Sequence, residues 1–93
     1  MTTGNAPSLI DFVASVVNTL EDRGKGYGSM RENHRRIAQQ WSATVGQRVT
    51  AEQAALMMCH LKISRLIQTP DHADSIHDLV GYALIYWSLV NDQ

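Results

Sequence analysis

Apolar residues recur at helical spacing along most of the chain. Leu9, Ile10, Phe12, Val13, Val16, Val17 and Leu20 form the first such set, three to four positions apart on one side of a helix. Ser8 is placed to cap that helix, with Asp11 three residues on as an acidic variant of the capping box, and Gly24 marks its expected end near residue 23. A second set, Ile37, Trp41 and Val45, predicts a helix from about Met30 or Arg31 to Val45, ahead of Gly46. Asn33 stands one turn before Ile37 and extends that stripe with an amide, which needs a hydrogen-bond partner if buried. Thr50-Ala51-Glu52-Gln53 reads as a capping box opening a third helix that runs to about Ile67 and is closed by Thr69-Pro70. There Leu56, Cys59, Ile63 and Leu66 share one stripe while Met57, Met58 and Leu61 cover much of the rest, the pattern of a helix central to its bundle. A fourth helix, over about 72–91, turns Ile76, Leu79, Val80, Ala83, Tyr86, Trp87 and Val90 toward the core and a candidate subunit contact. The expectation is all-α: a small bundle of about four helices over residues 8–93, preceded by a flexible, polar stretch at 1–7.

Charge narrows the classes of partner. Eight Lys and Arg against nine Asp and Glu leave a net charge of −1, without the basic face that broad nucleic-acid binding requires. The low charged fraction, 18%, on a domain with little core to spare favours a homo-oligomer. The single cysteine forms no internal disulfide and reads as a buried structural thiol. MTTGNAPS is not a signal-peptide start, and no apolar run approaches the roughly 20 residues of a bilayer span. The expected setting is soluble and cytoplasmic, with no membrane partner.

Candidate chemistry concentrates in three places. GKGYGSM, with glycines at 24, 26 and 28, reads as a loop that is either a plain connector or a close-approach segment offering backbone N–H groups, the Lys25 cation and the Tyr27 ring. Lys62 and Arg65, three residues apart, share a face of a mostly buried helix and call for an anionic partner. Asp74 and Asp78 stand one turn apart, with Gly81 continuing their stripe as a mark of close approach by a neighbour. The aspartates either pair with Lys62 and Arg65 as structural salt bridges or read the polar edges of a ligand while the cations hold its phosphates. Asn33 is equally open between a structural clamp and a ligand reader. His34 reads as a packing or surface residue, and the four histidines lack the spacing of a zinc helix.

Three blocks, YGSMRENHRRIAQQWSA, ALMMCHLKISRL and HADSIHDLVGYA, resemble, in that order, a family of short phage and prophage proteins of unknown function. A more distant resemblance is to all-α NTP pyrophosphohydrolases of the MazG and dUTPase kind, which hold magnesium with acidic pairs on two neighbouring helices. Asp74 and Asp78 stand for one such pair at a spacing one residue wider. The other is missing, since Lys62 and Arg65 occupy the central helix where carboxylates are wanted.

Three functions follow. The first is a phage accessory protein that binds a phosphorylated nucleotide, a sponge for a nucleotide signal of host defence. Lys25, Arg31, Lys62 and Arg65 would hold phosphates, Tyr27 would stack a base, and Asn33, Asp74 and Asp78 would read its edges; no cofactor is expected. The second is a MazG-like pyrophosphohydrolase with Glu32, Asp74 and Asp78 around magnesium. The third is a helical oligomer that acts by protein–protein contact, with Trp41, Tyr82, Tyr86 and Trp87 as core or interface anchors.

Overall fold

Four helices follow one another: α1 (Leu9–Tyr27), α2 (Met30–Val45), α3 (Ala51–Gln68) and α4 (Ala73–Val90). The computed structural model describes residues 6–27 and 29–91, and for residues 25–27 the backbone alone. Each start has a local cause. The Asp11 N–H donates to Ser8 Oγ at 3.1 Å, and the Glu32 N–H donates to Ser29 Oγ at 3.0 Å. Thr50 and Gln53 cap reciprocally, the Gln53 N–H reaching Thr50 Oγ1 and the Thr50 N–H reaching Gln53 Oε1, so two donors without intrahelical partners are satisfied together. At α4 the cap is His72, whose Nδ1 accepts from the Ser75 N–H at 3.2 Å. Gly46, with φ of 74°, ends α2 in the left-handed conformation that glycine adopts without penalty.

The first helix does not stop at Gly24. It continues through Gly24 and Gly26 to Tyr27, so the expected glycine loop is largely helix. A helical glycine costs only about 1 kcal/mol against alanine, and no left-handed turn or cap stands at Gly24 to end the helix; the next cap is Ser29. A Cβ at Gly24 would meet nothing within 4 Å, so that glycine marks no close approach. Gly81 sits where α1 meets α4, but it does not mark the expected close approach either: a Cβ there would lie at ordinary contact distance, 3.8 Å from Val16 Cγ1 and 3.9 Å from Leu20 Cδ2.

Packing is densest between the antiparallel pair α3 and α4; α2 lies on α3, and α1 on α4 and α2. Small residues bring these helices together. Among the described residues the buried apolar side chains are Val16, Ala38, Ala51, Ala54, Ala55 and Ile85, half of them alanines of α3. Inside α2 the buried positions are His34 and Ala38, one residue on from the expected Asn33–Ile37–Trp41–Val45 stripe. One residue is about 100° of rotation, enough to leave Asn33, Ile37 and Trp41 half-buried and Val45 exposed. Nor is α3 enclosed on all sides: Leu56, Met57, Leu61, Ile63 and Ile67 are exposed, as are Trp87 and Val90 of α4. Cys59 is half-buried rather than buried, and that burial pushes its thiol up. Among the described residues no helix is long and apolar enough to cross a membrane.

Candidate ligand groove

One face of α4 turns Asp74, His77, Asp78 and Gly81 toward α1. The spacing of three and four residues that aligns them there is the helical repeat itself. Opposite stand Phe12, Thr19 and Arg23 of α1, and between the two helices opens a groove of about 530 Å³ lined by these residues apart from Gly81. The rings of Phe12 and His77 meet edge to face at 6.0 Å. His77 Nε2 lies 3.4 Å from Thr19 Oγ1, and its Nδ1 lies 3.5 Å from Asp78 Oδ1. Behind Asp78, Lys62 reaches across from α3 with its Nζ 3.0 Å from Oδ2. Thr19, His77, Asp78 and Lys62 thus form a polar chain from α1 through α4 to α3.

Electrostatics along that chain favour a fixed anion at Asp78. Burial opposes its charge, but the Lys62 ammonium and then the His77 ring outweigh burial and hold the carboxyl below the usual aspartate range. The groove therefore presents an aromatic edge, a guanidinium, and carboxylate and imidazole groups that can exchange hydrogen bonds with a polar ligand. It is an open surface groove rather than an enclosed cavity.

The residues singled out from sequence do not all converge here. Asp74 and Asp78 share the groove; Lys62 touches it only through Asp78, as the structural salt bridge that was one of its two readings. Arg65 belongs to a different cleft, of about 240 Å³, with Gln68, Thr69 and His72. Arg31 lines a third, of about 160 Å³, with Leu20, Leu84 and Ser88. Asn33 is half-buried on α2, beside the fully buried His34. The side chains of Lys25 and Tyr27 lie outside the described residues. Glu32 is exposed at the start of α2, where its Oε1 accepts from Ser29 Oγ at 3.3 Å. No three His, Cys, Asp or Glu side chains among the described residues gather where one metal ion would reach them, so Glu32 does not join Asp74 and Asp78.

Sequence reasoning passed over Phe12, Arg23 and His77. In sequence Phe12 is one more apolar position of the α1 stripe, and Arg23 the last residue before Gly24. Only His77 carried a local signal, as a polar neighbour of Asp78 on the same helix. Of the two readings of His34, packing or surface, the structure shows packing: it is 1% exposed, its Nδ1 lies 2.9 Å from the Met30 carbonyl oxygen and its ring meets Tyr82 edge-on at 6.0 Å.

Four helices with a polar groove between α1 and α4 define a class of small all-α proteins rather than an activity. Within that class the chain belongs to the family described as Domain of unknown function (DUF6378), whose model matches residues 9–89. It is similar to the Gene 55 protein of Mycobacterium phage L5, with 40% identity over 75 residues that cover 74% of this chain and 48% of that protein. It is also similar to the Gene 55 protein of Mycobacterium phage D29, with 37% identity over 62 residues, 67% of this chain and 41% of that one. The chain thus spans under half the length of the curated relatives it matches. No solved structure matches. These findings support a phage protein family and give no link to MazG-like pyrophosphohydrolases.

Proposed function

We propose that the protein binds a small phosphorylated nucleotide in the α1–α4 groove and holds it without transforming it. The observation behind this reading is the convergence of Phe12, Arg23, Asp74, His77 and Asp78 on one opening of nucleotide size. Phe12 and Arg23 are three helical turns apart on α1, about 16 Å along the axis. A base at the Phe12 end would have an aromatic ring to pack against and carboxylates to accept from its amino group. Phosphates at the Arg23 end would meet a cation and stand clear of Asp74. Binding is favoured over hydrolysis by the donor set, because magnesium chemistry on phosphoanhydrides needs more carboxylates converging on the metal than this groove supplies. In a phage protein, such sequestration would withhold the nucleotide from the host.

The test is a retention experiment. The purified chain is incubated with a mixed pool of nucleotides and cyclic dinucleotides plus magnesium, then filtered, and both fractions are analysed by mass spectrometry. One species should be depleted from the filtrate and released intact on denaturation, and Arg23→Ala should abolish its retention. Stacking on an aromatic is worth roughly 1–3 kcal/mol per base, so Phe12→Ala should weaken binding by about 5- to 150-fold. An unchanged pool refutes the reading, and recovery of a monophosphate product replaces it with hydrolysis.

A further inference from the structure

The side of α4 turned away from the groove carries a second pattern. Ile76, Val80, Ala83, Trp87 and Val90 follow one another at spacings of four, three, four and three, the repeat of a helix–helix seam. None of the five is fully buried, and Ala83, Trp87 and Val90 are exposed. Helical geometry puts this stripe well over 90° round from Gly81, which faces α1, and clear of Asp78, which lines the groove and pairs with Lys62 of α3. On α3, Leu56, Ile63 and Ile67 form a second exposed stripe, turned roughly 120° from Lys62 and interrupted at its remaining seam position by the exposed His60. Every one of those three is exposed, Ile67 at 79%. Two neighbouring helices of the bundle therefore leave apolar side chains uncovered, on α4 as an unbroken stripe and on α3 as one broken by His60.

We propose that a second copy of this chain covers that face, with the two α4 helices crossing antiparallel about Ala83. Three features favour a copy over another occupant. The stripe is self-complementary about its smallest residue: antiparallel pairing sets Ala83 against Ala83, Val80 against Trp87 and Ile76 against Val90, as a two-fold interface requires. From Leu79 to Val90 α4 has no charged side chain, so identical faces meet without like-charge repulsion. Leu56, Ile63, Ile67, Trp87 and Val90 together expose on the order of 500 Å² of mostly apolar surface, the greater part of the roughly 800 Å² that each partner of a stable pair buries. Asp74, His77 and Asp78 lie on the other side of the helix, so the pairing does not depend on the groove reading.

The experiment is the molar mass of the purified chain by light scattering across a concentration series. The native protein should weigh twice the 10.4 kDa of one copy. The double variant Ile63→Arg/Trp87→Arg should fall to one copy with its helical circular dichroism retained, while Ile10→Arg, at a 78% exposed site on α1, should remain paired. Should the double variant fail to fold, Ala83→Cys in a Cys59→Ala background decides: rapid disulfide cross-linking between copies supports the crossing, and its absence at concentrations where the mass is doubled overturns it. A native mass of one copy throughout overturns the proposal and leaves the face to a different partner. Dissociation by Ile10→Arg with pairing retained in the double variant overturns it in favour of the α1 face.

Discussion

Replacing Lys62 with methionine isolates what the α3–α4 ion pair contributes. The variant keeps most of the apolar stem of the side chain and removes the ammonium 3.0 Å from Asp78 Oδ2. Deleting one partner of a fully buried pair costs about 3–5 kcal/mol, whereas an exposed pair is worth about 0–1 kcal/mol. Lys62 and Asp78 side chains are 14% and 22% exposed at the edge of an open groove, and His77 remains beside the carboxylate. Solvent screening therefore places the loss between those limits, at about 1–2 kcal/mol. For a domain of this size each kcal/mol moves the melting temperature by about 4–8 °C, so Lys62→Met should melt some 5–15 °C lower at pH 7, measured by circular dichroism at one fixed protein concentration. The pH dependence supplies the sign. The folded-state carboxyl of Asp78 is depressed, so its contribution is complete above the unfolded value near 4 and is lost as pH falls through the folded one. Without Lys62 the acid protonates at higher pH, which relieves the variant of its unpaired charge. The gap between wild type and variant should therefore close on acidification below about pH 4. A gap that is the same at pH 7 and at pH 3, or a double-mutant cycle with Asp78→Asn that shows no coupling at pH 7, refutes the pairing as a contributor to stability.

The remaining predictions concern the frame around the groove. Gly81→Ala should raise stability by about 0.5–1 kcal/mol in thermal melts, because alanine is the better helix former and its Cβ would make ordinary contact with Val16 and Leu20; Gly81→Leu should lower it by forcing α1 off α4. Ser42→Ala should cost about 1–2 kcal/mol in urea denaturation, since the Val49 N–H donates to Ser42 Oγ at 2.7 Å and that hydroxyl donates to the Ala38 carbonyl at 2.7 Å. His34→Ala should cost about 2–4 kcal/mol in the same denaturation through lost volume and the lost side-chain hydrogen bond to the Met30 carbonyl, without changing nucleotide retention.

What could be read from the sequence was set by interactions spanning three or four residues. The limits of α2, the Thr50–Gln53 box and the stop at Thr69 depend on such local chemistry, and the structure places them as expected. A one-turn spacing likewise made Asp74 and Asp78 partners on one face, and Lys62 a candidate for Asp78. Helical phase was less legible: the stripe through Asn33 and the true one through His34 differ by a single residue, and only the neighbours of α2 decide between them. At Gly24 a local rule misled, because an interior glycine is tolerated when nothing else ends the helix. The groove was hidden for a different reason. Phe12 and His77 are 65 residues apart, and what joins them is the docking of α1 on α4 at Gly81, which no local pattern encodes.

That docking makes α4 the element on which both proposals turn. Its composition is apolar nearly all round, yet it lies against α1 and α3 on only part of its circumference, so the same helix holds a packed side and an uncovered one. The packed side carries its charged and imidazole groups, Asp74, His77 and Asp78, each held by a partner or opening on the groove. The uncovered side carries only apolar residues at seam spacing. A helix at the periphery of a monomer should show the reverse, with charge outward. The absence of charge from Leu79 to Val90, exposed in one copy of the chain, is the pattern of a helix that becomes interior on association. Pairing would then hold α4 from both sides, bracing the wall of the groove, and a single-copy variant that still folds should bind nucleotide more weakly than the paired protein although no groove residue has changed.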